Sequence, residues 1–307
     1  MEEQLEFRNK PVTKSAIVFI IIHLIPLLAL FTGVTAYDWT VCVLFYFFRM
    51  FWITGGYHRY FAHNAYSTSR VFQFIIAFFA QTSLQKGALW WAAHHRIHHA
   101  TSDTVKDPHS MKLYGFWYSH LGWILGPDYK ETETGLIQDF AKYPELRWLN
   151  KYHAVPPIIL AIVIYILGGF VNHIGDASSF LGYEFFTRGA TSSLLIGFFL
   201  STVVLYHGTF SINSIMHKVG NKRYETGDES KNSFILALVT LGEGWHNNHH
   251  YYQVAARQGF FWWEIDITFY ILKILSWLGI VWDLKGVPTN VRDSKSLAEA
   301  RTKGSIM

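Results

Sequence analysis

A single cysteine, Cys42, occurs in the 307 residues. One thiol excludes an internal disulfide, a four-cysteine zinc site and an iron–sulfur cluster. Charge is also scarce. Asp, Glu, Lys and Arg make up 16% of the chain, against about 25% in an average soluble domain. The net charge of +4 is small and no dense basic cluster occurs, so no nucleic-acid partner is expected. Half of the residues are hydrophobic and 18% are aromatic, which rules out a disordered chain. Such a composition fits either a very large soluble core or a membrane protein. No internal repeat, low-complexity run or linker divides the sequence, so one domain over residues 1–307 is expected.

Long apolar runs decide for the membrane. Residues 15–34, 39–53, 154–170 and 189–206 are predicted to span it, each near the length a spanning helix needs. Glu2, Glu3 and Glu6 precede the first run and no small-residue cleavage site follows it, so it reads as a span and not a cleavable signal. Residues 71–84 are too short for a span and carry Gln73 and Gln81, so they read as a buried or interfacial helix. Residues 260–282 carry Glu264, Asp266 and Lys273 and read as an aromatic-rich interfacial helix. A polar, solvated tail is expected over 285–307. Four spans put both termini on one side. Residues 1–14 hold three Lys/Arg, 54–153 hold ten and 208–307 hold eleven, while the opposite side holds only Arg188. The positive-inside rule makes the three richer segments cytoplasmic. The chain is therefore expected to be an integral, multi-pass membrane protein, in the inner membrane of a bacterium or the endoplasmic reticulum of a eukaryote.

Sixteen histidines are present, and eight of them bunch in three boxes. His58 and His63 lie in HRYFAH, His95, His98 and His99 in HRIHH, and His246, His249 and His250 in HNNHH. All eight fall on the side assigned to the cytoplasm from Lys/Arg alone. The spacing i, i+3, i+4 puts three imidazoles on one face of a helix, where they can converge on one or two ions. The i, i+5 pair of the first box sits about 140° apart on an α-helix and shares a face only where the helix ends or bends. Gly55 and Gly56 just before it allow such a change. Single histidines such as His23, His153 and His173 read as ordinary polar residues. Imidazole suits zinc, copper, iron or nickel. Eight of them exceed the four positions of one zinc ion. Glu243 and His246 form one Glu-x-x-His, and no second copy lies near the boxes, as a carboxylate-bridged di-iron bundle would need. The expected centre is dinuclear and rich in nitrogen. A metal transporter is disfavoured because its site would lie at mid-membrane in broken helices, whereas these boxes lie outside every predicted span.

HRxxxH, HRxHH and HNxHH, in this order and on this topology, resemble the integral-membrane fatty acyl desaturases of the Δ9 type, the stearoyl-CoA desaturase family. The resemblance covers roughly residues 15–283. It extends to DPHSMKLYGFWYSHLGW at 107–123 and GEG at 242–244. It implies an all-α membrane protein of four transmembrane helices, with a cytoplasmic helical cap holding a histidine-rich di-iron site. It implies a ninth ligand, His217, with Asn213 acting through a water, from NSIMH. Gln85, Trp91 and Thr209 match family positions lining an acyl tunnel. The implied activity is O2-dependent desaturation, giving a cis double bond in a saturated acyl chain with two Fe ions as cofactor. A hydroxylase, acetylenase or terminal-alkene-forming enzyme on the same scaffold is the alternative.

Where the acyl-CoA enzymes place an amide, an arginine and an acid against CoA, this chain has Lys86, Ala93 and His94. The carrier of the acyl chain is therefore open between CoA, an acyl carrier protein and a membrane lipid. No cytochrome b5 module and no flavin or nicotinamide motif occurs after residue 283. An external electron donor is expected, such as ferredoxin, rubredoxin or cytochrome b5 with its reductase.

Overall fold

The computed structural model describes residues 13–126, 131–172 and 189–304. They are mostly helical, with one short antiparallel ribbon that pairs Ser67 with Trp282 and Thr68 with Val281. Among the described residues, three helices are long and apolar enough to cross a membrane: Ala36–Ala62, Val155–Asn172 and Thr191–His217. The predicted third span coincides with the second of these. It leaves Ile158, Ile159, Ile162 and Ile166 exposed, as a lipid-facing helix does.

The other two run on past their predicted ends at Ile53 and Tyr206. Twenty-seven residues reach up to about 40 Å, roughly 10 Å more than the hydrocarbon core is thick. Hydropathy stops at the first polar residues, but packing carries the helices on. Every residue from Ile53 to Ala62 is buried. The added turns bear His58 on one helix and Asn213 and His217 on the other. The expected first span behaves differently. An α-helix over Lys14–Leu24 tightens into a 3-10 helix over Ile25–Phe31. Pro26 has no N–H to continue the α ladder. The combined element has as many residues as Val155–Asn172 and fewer than the other two, and the two rises give it a length of about 30 Å.

Arg49 explains how a charge sits inside an apolar helix. It is fully buried. It donates to Thr202 Oγ1 at 2.7 Å, Ser201 Oγ at 2.6 Å and Phe45 O at 3.1 Å. The guanidinium thus faces the bundle and ties the second predicted span to the fourth, as charges at membrane depth do.

One short run is as expected, and two other expectations, for 260–282 and for the tail, change. The run 71–84 is a helix over Arg70–Gln81. It packs so closely on the box-one helix that a Cβ on Gly56 would meet Ile76 Cγ2 at 2.6 Å. The stretch 260–282 is helical only over Ile267–Trp277. Its start is set by Asp266, whose carboxylate accepts from Phe269 N at 3.0 Å. Glu264 and Asp266 turn inward to Arg223 and Arg59 instead of facing water. The polar tail does not hang free in solvent. Val291 and Ala300 are buried against Tyr224, Tyr251 and Phe260, and Glu225 N donates to Lys295 O at 2.9 Å.

Candidate metal centre

The first box solves its spacing problem with a π-helix over Trp52–Ala62. His63 N donates to His58 O at 3.2 Å. That i→i+5 bond winds the chain more widely than an α-helix, so five residues return it to nearly the same side. The two rings lie 4.9 Å apart, centroid to centroid.

The second box rides on the helix Ala88–Thr101 and the third on the short helix His246–Tyr251. Each triplet is divided. Positions i and i+4 stack one above the other, and i+3 points about 100° away from i+4. His95 and His99 join His58, His63 and His249 in one cluster, and His98 joins His217, His246 and His250 in the other. Each box helix thus gives two ligand-type nitrogens to one cluster and one to the next. Two clusters side by side follow from two copies of one spacing facing each other.

The nitrogens are set as a metal would require. Metal–nitrogen bonds of about 2.1 Å put two ligands about 3.0 Å apart at a right angle and about 3.4 Å apart at the tetrahedral angle. In the first cluster the Nε2 atoms of His58 and His249, His63 and His95, His95 and His99, and His99 and His249 are 2.9, 3.0, 2.9 and 2.9 Å apart. In the second, His217 and His246 are 3.1 Å apart and His98 and His250 are 3.4 Å apart. Burial drives the His63, His95, His99, His246 and His249 imidazoles well below the usual range, so they are neutral with lone pairs to give. Asp107 Oδ1 is 2.9 Å from His98 Nδ1, and Asp228 Oδ2 is 2.7 Å from His250 Nδ1. Each carboxylate is placed to accept the Nδ1–H of its ring, the tautomer whose Nε2 lone pair is left for a metal. Those two lone pairs then face each other, an arrangement that a cation satisfies and a hydrogen bond does not. The donor set fits one metal ion at each cluster.

An outer layer fixes the rings. Glu243 Oε2 approaches His58 Nδ1 at 2.5 Å. Arg59 clamps Glu243 at 3.1 Å and Asp266 at 2.9 Å, all buried. Burial alone would raise the Asp107 and Asp228 carboxyls, but the adjoining His98 and His250 hold both well below the usual carboxylate range. Arg96 bonds Ala62 O at 2.9 Å and Asp139 at 2.7 Å, joining box two to the end of box one. The six-residue helix of box three is too short to hold itself. Asn232 Oδ1 accepts from Asn247 N at 2.9 Å, and Asn248 donates to Glu264 at 2.9 Å. Asn247 Oδ1 accepts from Tyr224 N at 2.7 Å. The GEG turn before it admits only glycine at its ends. Gly242 has φ +126°, and a Cβ on Gly244 would lie 2.0 Å from Ala237 N.

A cavity of about 380 Å³ opens against the first cluster, within the range of small-molecule sites. His58, His95 and Asn213 line it together with Gln85, Trp91 and Thr209, so the three residues assigned to a tunnel do share one space. Gln85 Nε2 donates to Thr209 Oγ1 at 3.0 Å. Trp91 stacks on His95 at 4.9 Å.

Several functional groups escaped the sequence. Glu243 was weighed as a ligand and instead orients one. Asp107, Asp228 and His109 were not singled out, although DPH begins eight residues after the end of box two. His109 packs against His98, with tilted rings 4.2 Å apart, and lines the cavity. Asp228, in an ordinary-looking TGDES, gave no signal of its own. Two of the histidines taken as unremarkable also have particular places. His153 lines the cavity, and His23 Nε2 lies 3.3 Å from His207 Nε2. His173 lies outside the described residues.

Known proteins share this pattern over most of the chain. The family profile described as fatty acid desaturase matches residues 37–274. An acyl-CoA 5-desaturase of Anemone leveillei is 32% identical over 277 residues, covering 89% of this chain and 79% of that protein. An sn-1 stearoyl-lipid 9-desaturase of Anabaena variabilis is 32% identical, covering 77% of this chain and 81% of the relative. An sn-2 palmitoyl-lipid 9-desaturase of Nostoc is 33% identical, with 80% and 81% covered. With its boxes folded into two imidazole clusters beside an apolar cavity, the chain belongs to the fatty acid desaturase family.

Proposed function

We propose that the protein is an O2-dependent di-iron acyl desaturase in which His58, His63, His95, His99 and His249 hold one iron and His98, His217, His246 and His250 hold the other. Asn213 acts on the second through a water. The observation that carries this reading is the pair of adjacent all-nitrogen clusters against an apolar cavity. When bound, iron at these sites supplies the O2 activation and oxidising power that unactivated methylenes require. The net change converts –CH2–CH2–, O2, two electrons and two protons to a cis –CH=CH– and two waters. The chain's own residues do the rest. The cavity excludes water and holds the acyl chain, which has no functional group to grip, so position is set by shape. Trp91, stacked on His95, forms a wall beside the first cluster, and the hydrogen-bonded Gln85 and Thr209 line the same space.

With Cys42 as its only thiol, the chain has no iron–sulfur or rubredoxin-type centre of its own. Electrons come from a separate ferredoxin, rubredoxin or cytochrome b5 system. Purified protein with O2 and NADPH is expected to be inactive, and adding a ferredoxin and its reductase should start double-bond formation in a saturated acyl substrate. Full turnover without the donor would overturn this part of the account.

Four spans are proposed, the three long helices and Lys14–Phe31, with both termini and the helical cap in the cytoplasm. In support, the short helix Arg70–Gln81 leaves boxes one and two on one side. Single cysteines introduced after Asn64 and after Thr101, in a Cys42→Ser background, should both react with an impermeant reagent from the cytoplasmic face. Labelling from opposite faces would separate the boxes and exclude a shared site.

Trp91→Ala should keep its iron and spread the product over several double-bond positions, because it removes a wall and no ligand. Gas chromatography with iron quantification checks both. Loss of iron, or unchanged products at unchanged rate, would remove Trp91 from the tunnel.

A further inference from the structure

A second cavity, of about 250 Å³, shares no residue with the one beside the metal clusters. Four cations line it: Arg257, Lys273, Lys285 and Arg292. They come from separate parts of the chain. Arg257 follows box three, Lys273 lies on the helix Ile267–Trp277, and Lys285 and Arg292 belong to the tail. Arg292 is offset by Asp293 at 2.7 Å. Arg257 lies over the Phe269 ring at 5.5 Å and donates through Nη2 to Phe261 O at 2.8 Å, while its buried Nε has no hydrogen-bond partner. Among the described residues, Arg257, Lys273 and Lys285 form no ion pair. Like charges gathered around one space repel one another, and an anion between them reverses the sign of that energy.

The helix that carries Lys273 sits at the edge of the membrane. Thr54 directly follows Ile53, where the apolar run of the second predicted span ends, and its Oγ1 lies 2.7 Å from Thr268 Oγ1 in the first turn of Ile267–Trp277. Tyr270, Lys273, Ile274, Trp277 and Leu278 are all exposed. Their spacing i, i+3, i+4, i+7, i+8 makes one face, aromatic and aliphatic with a single lysine. A helix that shows such a face at this level lies in the interface. Trp262 and Trp277, 81% and 74% exposed, stand in sequence on either side of the cavity-lining Phe269. Tryptophan in that setting marks the headgroup layer. The cationic cavity and the apolar face thus meet at Lys273, which belongs to both.

We propose that Arg257, Lys273, Lys285 and Arg292 form a site for the phosphate of an anionic membrane phospholipid, whose acyl chains lie along the Tyr270–Ile274–Trp277 face. A lipid held here is a bound ligand of the cap and not the substrate, because this cavity is separate from the one at the metal clusters. Its phosphate supplies the anion, and its chains cover the apolar face. Phosphatidylcholine satisfies the site less well, since its own positive headgroup is repelled by the cations.

The test uses full-length, iron-loaded protein stripped of lipid in a neutral detergent. Phosphatidylglycerol or phosphatidylcholine is titrated in, and native mass spectrometry counts the lipids retained. One phosphatidylglycerol should stay on the wild type under activation that removes phosphatidylcholine. Each lysine charge removed should weaken that binding about fivefold, so Lys273→Gln with Lys285→Gln should weaken it about 25-fold. Lys273→Arg with Lys285→Arg should retain the lipid. Lys151→Gln, an exposed lysine near another helix end, should bind as the wild type does. Iron content and melting temperature verify that each variant is folded. Equal retention of the two lipids, no retention on the wild type, or an unchanged affinity in the double glutamine variant would overturn the proposal. Displacement of phosphatidylglycerol by an equal concentration of inorganic phosphate would make this a free-anion site and contradict the lipid assignment. A raised KM for ferredoxin in the double glutamine variant, with lipid retention unchanged, would make the patch a landing face for an acidic protein and overturn it as well.

Discussion

His249→Ala and His246→Ala are each expected to abolish turnover and to lower iron below two per chain. The first removes a nitrogen that lies 2.9 Å from those of both His58 and His99. The second removes the partner of His217, 3.1 Å away. Loss of an outer-shell partner costs a metal site about 10- to 100-fold in affinity. Removing a ligand itself should cost more. His23→Ala is the control, because His23 touches Phe19 and His207 and neither cluster. It should keep its iron. Iron quantification on the three purified variants decides the matter. Full iron in His246→Ala would remove the second cluster from the account.

Glu243→Ala should have the next largest effect, and on two separate quantities. Glu243 is buried between His58 and Arg59. Its removal leaves the buried Arg59 guanidinium with Asp266 as its one carboxylate, beside the Ala256 carbonyl, and breaking a buried ion pair costs about 3–5 kcal/mol. It also frees His58 to turn, with an affinity loss of about 10- to 100-fold. The two effects separate when metal-free protein is compared. Metal-free Glu243→Ala should melt well below metal-free wild type. Asp228→Asn, which keeps an acceptor for His250 Nδ1 and breaks no arginine pair, should lose iron affinity with little change in melting. Equal melting of metal-free Glu243→Ala and wild type would show that the Arg59 cluster is not a stabilising clamp.

The elements that were legible in the sequence are those with a periodic or compositional cause. The almost wholly apolar run of eighteen residues from Val155 to Asn172 needs no partner to be recognised as a helix. The i, i+3, i+4 spacing placed His95, His98 and His99 on one helix and His246, His249 and His250 on another. It did not say that each triplet would be divided, because that depends on how two helices face each other. Where Ala36–Ala62 and Thr191–His217 end was hidden for a similar reason. Their last turns are polar in sequence and buried by tertiary packing. The π-helix at box one could only be stated as a requirement on His58 and His63. What the glycines there permit, the close approach of Ile76 to Gly56, shows only in the packed structure. Outer-layer carboxylates were least visible. Glu243, Asp107 and Asp228 come from three separate loops, and no local spacing connects Asp228 with His250, twenty-two residues on. His217 and Asn213 were reached through resemblance, and the structure brings His217 into the second cluster. The tail after Lys285 was misjudged because its few apolar residues, Val291 and Ala300, are enough to dock it.

The central claim is that two irons lie side by side in nitrogen-only clusters. Anomalous diffraction at the iron edge, on crystals of protein expressed with ample iron and active in turnover, measures this directly. Two iron peaks are predicted, one among His58, His63, His95, His99 and His249 and one among His98, His217, His246 and His250. A single peak, or peaks that appear only at the zinc edge in protein that still turns over, would contradict it.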